Sequence, residues 1–264
     1  MKVGLSDIWS FRGFIYTSVV REFQSKYRNS LLGAAWAVLQ PLALILVYTM
    51  VFSKVMQVRL PGVESTFAYS IYLCSGLLAW GLFSEIILRA QNIFIDNANL
   101  LKKVSFPKLC LPVALVSSCF INYLIIFSLF IGFLLVTGNF PGVVFLAILP
   151  ALAGLLLFAV GLGITLGVLN VFFRDVGQFF SIFLQFWFWL TPIVYPVHVL
   201  PEGIRRIVEM NPMTGVMNSF QAVFVEHRLP SWSGLTLSLI LGVVFCLLGL
   251  TLFRSHGAEM VDEL

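Results

Sequence analysis

Long stretches of this chain carry no charge, and that decides what it can fold into. No residue between Arg28 and Lys54 is charged, and the same holds for 65–84, 176–201 and 229–253. Each run reaches the roughly 20 residues that a helix needs to cross the hydrocarbon core of a bilayer. Charged residues make up only 11% of the 264 positions and hydrophobic residues 59%, whereas a soluble domain carries about 25% charge. Such a chain cannot cover itself with water-compatible surface. An all-α integral membrane protein is expected, because a helix satisfies its own backbone polar groups inside the bilayer.

The longest uncharged run, 109–173, is too long for one span. It holds Thr137-Gly138-Asn139-Phe140-Pro141-Gly142 in its middle, and turn chemistry of that kind divides it. Six spans follow, at 31–53, 69–94, 109–136, 143–170, 177–195 and 232–253, within a single transmembrane domain over 1–264. The first apolar segment begins only near Leu31 and is too long for a leader's apolar region, so no cleaved signal peptide is expected. Cys74, Cys110, Cys119 and Cys246 lie in or beside apolar segments and read as small hydrophobes. The cytoplasmic side should hold the excess of Lys and Arg. One set of flanks carries Lys2, Arg12, Arg21, Lys26, Arg28, Arg89, Lys102, Lys103, Lys108, Arg174 and Arg254. The other carries only Lys54, Arg59, Arg205, Arg206 and Arg228. Both termini are therefore expected in the cytoplasm. This topology accounts for the net charge of +4 without a nucleic-acid partner.

Before the first span, 7–28 places Ile8, Phe11, Ile15, Val19, Phe23 and Tyr27 at steps of three or four, opposite Ser10, Thr17, Arg21, Gln24 and Arg28. That pattern predicts an amphipathic helix lying in the inner interface, with Arg12 and Lys26 reaching for water. Pro41 predicts a kink or an early break in span one. Glu85 and Arg89, four residues apart, suit an ion pair in the last turns of span two. Gly154, Gly161, Gly163 and Gly167 predict close helix contacts along span four. In span five Phe179, Phe180, Phe183, Phe186, Trp187, Phe188 and Trp189 go nearly all round the helix, so some must face protein or a pathway. Aromatic faces suit the apolar C–H surface of sugar rings.

The chemistry of an energy source is missing. No Lys follows a Gly, so the phosphate-cradling Gly-Lys-Ser/Thr loop is absent, as are His-Glu-x-x-His and Gly-x-Ser-x-Gly. His198, His227 and His256 stand far apart in sequence, and no acid or histidine relay sits at mid-span. The chain is not read as an enzyme and no cofactor or metal is expected on it. Gating energy should then come from a partner that touches the cytoplasmic connections. Segment 96–108 suits that contact, since polar and basic residues alternate there with Leu100, Leu101, Val104 and Phe106. Arg174 and Asp175 should anchor the inner end of span four. Segment 210–225 is apolar but too short to cross, so two short helices at 200–225, divided at Asn211-Pro212, should fold back into the outer face and gate a channel. Pro192 and Pro196 should break span five.

The stretches 28–53, 69–85, 169–176 and 188–196, with Asn211-Pro212, resemble the permease subunits of bacterial O-antigen and capsular polysaccharide ABC exporters, the Wzm- and KpsM-like proteins of the type 2 ABC class. The resemblance covers essentially the whole chain. It implies a homodimer in the bacterial inner membrane, bound to two nucleotide-hydrolysing subunits that hold ATP and magnesium, with a channel for a lipid-linked glycan. A teichoic-acid or drug exporter shares much of the pattern. In that frame Asn99, Lys102, Lys103, Phe106, Pro107, Arg174 and Asp175 are the expected coupling residues. Tyr48, Phe183, Trp187, Pro192, Tyr195, Pro196, Asn211 and Pro212 are expected along the channel and its gate. A membrane-embedded glycan-processing enzyme should instead expose paired acids or a metal cluster, and a secondary carrier a charged relay.

Overall fold

The computed structural model describes residues 10–27, 33–51, 67–103, 107–257 and 259–264. Among the described residues the regular structure is helical throughout, as backbone self-satisfaction demands of an apolar chain. Four helical segments are long and apolar enough to cross a membrane: Ala68–Ala90, Cys110–Val136, Gly142–Phe172 and Trp232–Ser255. Trp36–Thr49 is apolar but shorter.

Helix α1 (Arg12–Tyr27) is the amphipathic helix. Val19 is buried and Phe11, Ile15 and Phe23 are half-buried, while Thr17, Arg21 and Gln24 are exposed. Ile8 and Arg28 lie outside the described residues, as do the side chains of Lys26 and Tyr27. Helix α2 (Trp36–Thr49) runs on through Pro41, so the early break expected there does not occur within it. Helix α3 (Ala68–Ala90) ends four residues before the expected boundary. At its end Asn92 N–H bonds Arg89 C=O at 3.3 Å, one residue tighter than an α-helical step, and the chain turns into α4 (Ile93–Asp96) and α5 (Ala98–Lys103).

Helix α6 (Cys110–Val136) ends at the predicted turn, where Gly138 and Gly142 take φ of 70° and 62°, a region open mainly to glycine. A short 3₁₀ stretch, Gly142–Ala147, leads into α7 (Ile148–Phe172). The seven-residue glycine spacing faces α11 (Trp232–Ser255), and the four-residue spacing faces α3. A Cβ on Gly161 would lie 2.6 Å from Cys246 N, and one on Gly167 2.6 Å from Ala90 C=O. Both neighbours are backbone, so both approaches require glycine, in agreement with the packing role read from the spacing.

Helix α8 (Asp175–Trp189) corrects the boundaries expected for span five. Fifteen residues rise about 22 Å, short of a full crossing. The reason is Pro192, which donates no backbone N–H, and 190–196 is irregular. Two short helices follow, α9 (Glu202–Glu209) and α10 (Pro212–Phe224), separated at Asn211-Pro212 as expected. Asn211 caps α10 by accepting from Met213 N–H at 3.0 Å, with proline in the first turn. The end segment α12 (Glu259–Glu263) packs near α7 and α5.

Candidate functional site

Two ends of the bundle concentrate polar groups, and α8 runs between them. The first gathers the α3–α4 turn, the start of α6, the end of α7 and the start of α8. On α5, Asn99 and Lys102 are exposed, and Leu101 is buried within the chain. Of the apolar residues expected to project outward there, Leu101 therefore turns inward. Pro107 is buried; Phe106 and the Lys103 side chain lie outside the described residues. Arg174 and Asp175 are both exposed, and Asp175 sits in the first turn of α8, where the positive end of the helix dipole favours an anion. Lys108 donates from Nζ to Gly257 C=O. Burial lowers its pKa from the ordinary lysine value, and Asp262 opposes that shift.

The same end holds a charged knot of three helices. Arg89 of α3 pairs with Glu85 one turn away at 3.4 Å and with Glu22 of α1. Asn122 of α6 donates to Glu85 Oε2 at 3.0 Å, and Arg89 also reaches Cys119 Sγ at 3.5 Å. The Glu85–Arg89 pair follows from spacing alone. Glu22 and Asn122 were missed because their partners lie far away in the chain. For Asn122 the available signal was the cost of a polar side chain inside an apolar helix, which is tolerated only with a partner. A cavity of about 530 Å³ lies beside the knot, lined among others by Arg21, Glu22, Arg89 and Asp96. Its counterpart of about 280 Å³ between α2, α3 and α6 is lined by Tyr48, Cys74, Glu85 and Asn122.

The opposite end carries the ion pairs Arg205–Glu209 and Arg228–Glu226 at its rim, but the groups that hold the chain after α8 are neutral. The irregular stretch after α8 leaves carbonyls with no intrahelical partner, and side chains from other helices take them. Tyr69 donates to Val194 C=O at 2.6 Å, Tyr72 to Tyr195 C=O at 2.9 Å, and Gln221 Nε2 to Pro192 C=O at 2.9 Å. Asn211 Nδ2 donates to Thr191 Oγ1 at 2.9 Å and accepts from Trp187 Nε1 at 2.9 Å. Tyr195 donates to Trp189 C=O at 2.7 Å. Pro192 is buried, and Tyr195, Pro196, Asn211 and Pro212 are half-buried. Tyr69, Tyr72 and Gln221 were not singled out from sequence, although a glutamine in the apolar stretch 210–225 was a visible signal.

Between these ends α8 is divided lengthwise. Trp187 is buried and makes edge contacts with Trp80, Phe83 and Phe158, and Phe183 packs on it half-buried. Trp187 therefore faces into the chain rather than out of it. The outward face carries Phe179, Ile182, Phe186 and Trp189, at 64%, 47%, 66% and 64% exposure, with Gln178 and Gln185 beside them, also exposed. Among the described residues no group of three or more His, Cys, Asp or Glu could hold a metal ion.

The family model described as ABC-2 type transporter matches residues 14–225. Over 98% of both chains, the sequence is 30% identical to the O-antigen export system permease protein RfbA of Myxococcus xanthus. It is 28% identical to a protein of the same name from Klebsiella pneumoniae, over 92% of this chain and 93% of that one. Similarity extends at 20% identity, over the same shares, to the polysialic acid transport protein KpsM of Escherichia coli.

Proposed function

The chain belongs to the ABC-2 type transporter family, and from that premise we propose that it is the channel-forming permease subunit of an ATP-driven exporter of a lipid-linked polysaccharide across the bacterial inner membrane. O-antigen is the favoured cargo, with capsule or teichoic acid behind it. The names of the similar proteins support the cargo class. The observation that carries the reading is the bare face of α8: Phe179, Phe186 and Trp189 stand out from the bundle together with Gln178 and Gln185. Apolar ring faces and amides side by side suit a sugar polymer, which offers C–H surface and hydroxyls in alternation.

In this reading two copies face each other across the channel, each bound to one ATPase subunit that holds ATP and magnesium. This chain hydrolyses nothing. Six spans cross the membrane, with the short α2 and α8 met by local thinning of the bilayer, and both termini are cytoplasmic. The charged end is then the inner one, and 96–108, with Asn99, Lys102, Lys103, Phe106, Pro107, Arg174 and Asp175, meets the ATPase. Helices α9 and α10 lie at the outer face as the gate. The channel-facing set shifts relative to the sequence expectation, from Trp187 to Phe179, Phe186 and Trp189.

The test is hydrolysis with and without a partner. Highly purified chain should be inactive, and co-purification with a soluble protein carrying a phosphate-binding loop should restore steady ATP hydrolysis. Steady hydrolysis by the partner-free chain would refute the assignment.

A further inference from the structure

Asn170 lies near the end of α7 and is only 2% exposed. Its amide is used on both sides. Nδ2 donates to Gln91 C=O at 2.9 Å and to Asn92 Oδ1 at 3.0 Å, while Oδ1 accepts from Gly177 N–H at 2.8 Å. The two backbone groups are of a special kind. Gln91 C=O is at the carbonyl end of α3, and Gly177 N–H is in the first turn of α8. Helix ends leave such groups without intrahelical partners. One side chain thus joins the end of one helix to the start of another.

The fit leaves no slack. A Cβ on Gly177 would sit 2.8 Å from Asn170 Oδ1 and 2.9 Å from Nδ2, so the contact requires glycine at 177. A second tether lies one turn along α8, where Gln91 Nε2 donates to Ser181 Oγ at 2.9 Å. Directly after Gln91 and Asn92 the chain enters α4 and α5. Displacement of α4 and α5 therefore reaches α8, with its bare aromatic face, through a buried amide in a low-dielectric setting where hydrogen bonds are strong.

We propose that Asn170 is the positioning residue through which movement of α4 and α5 is passed to α8, setting the ratio of polymer exported to ATP hydrolysed. The proposal rests on the exporter reading above. Physical coupling of this kind needs a contiguous element shared by both sites, and the Asn170 amide supplies one.

The experiment compares wild type, Asn170→Ala, Asn170→Asp and Ser181→Ala in complex with the ATPase subunit, in vesicles, measuring assembly, thermal midpoint, ATP hydrolysis and export. In Asn170→Ala the complex should assemble and hydrolyse ATP, with export per ATP down about tenfold. Asn170→Asp keeps the acceptor for Gly177 but sets a carboxylate against two acceptors, Gln91 C=O and Asn92 Oδ1, so its coupling should be no better. Ser181→Ala, which removes the second tether and the hydroxyl's bond within α8 to Gly177 C=O, should fall in between. Export and hydrolysis falling in proportion, together with the midpoint, would mean a merely structural role and overturn the proposal. So would an unchanged ratio in Asn170→Ala. Should the Asn170 variants fail to assemble, Asn92→Ala, which takes one acceptor from the Asn170 amide, decides, and an unchanged ratio there sinks the idea. A wild-type complex that hydrolyses ATP but moves no polymer would remove the exporter reading itself, and the proposal with it.

Discussion

The two polar ends of the bundle solve different problems. At the charged end Glu22, Arg89, Glu85 and Asn122 join three helices through their side chains, with Arg89, Glu22 and Glu85 at 32%, 37% and 29% side-chain exposure. The helices there are regular, and the charges bind one to another. At the opposite end, inside the exposed pairs Arg205–Glu209 and Arg228–Glu226, the neutral side chains Tyr69, Tyr72, Gln221 and Asn211 serve a chain whose helix has stopped, and their partners are mostly backbone carbonyls at 190–195. Inside a bilayer an irregular backbone survives only if each such group is met. Neutral donors do this without bringing an ion into the hydrocarbon. The charged knot is thus a joint between helices, and the neutral cluster a plug over a break.

The largest expected effect comes from breaking the joint. Arg89→Ala leaves Glu22 and Glu85 without their cation, which costs on the order of 2 kcal/mol, below the range for a fully buried pair because about a third of the side chain is exposed. Thermal unfolding in detergent measures it. The comparison sharpens with the triple variant Glu22→Gln, Glu85→Gln, Arg89→Met, which keeps the shapes without the charges and should recover much of the loss. An Arg89→Ala protein as stable as wild type would mean the knot is idle.

A smaller effect is expected at the plug. Tyr72→Phe and Gln221→Leu each remove a donor from carbonyls of the irregular stretch, at about 1 kcal/mol apiece. The change should be local, with faster amide hydrogen exchange across 190–196 and little change in α7 or α11. Exchange that quickens evenly throughout the bundle would show that the two ends are not separable. Asn122→Ala should cost the least, about 0.5 kcal/mol, because Glu85 retains Arg89.

How much of this was legible in the sequence follows from distance along the chain. The four long apolar helices could be read because absence of charge is a local property, and so could the turn at Gly138 and Gly142 and the cut at Asn211-Pro212. Glu85 and Arg89 were readable as neighbours on one helix. Glu22 meets Arg89 across 67 residues and Asn170 meets Gln91 across 79, and no periodicity carries that information. The four glycines of α7 show the boundary well. Their spacing announces close packing, but that Gly161 serves α11 and Gly167 serves α3 depends on where those helices lie. The same limit applied to α8, where aromatics all round the helix could not say which side the bundle covers.

In the proposed exporter, ATP hydrolysed by a partner moves a polymer through this chain. Purified permease and its ATPase subunit, reconstituted with the ATPase outward in vesicles bearing lipid-linked glycan on the outer leaflet, allow the direct measurement. A membrane-impermeant glycan-cleaving enzyme reports how much polymer has been carried inside. Protection that grows with time only when ATP, magnesium and the ATPase are all present is the predicted result. Protection driven by an ion gradient without ATP, or none while ATP is steadily consumed, would contradict the account.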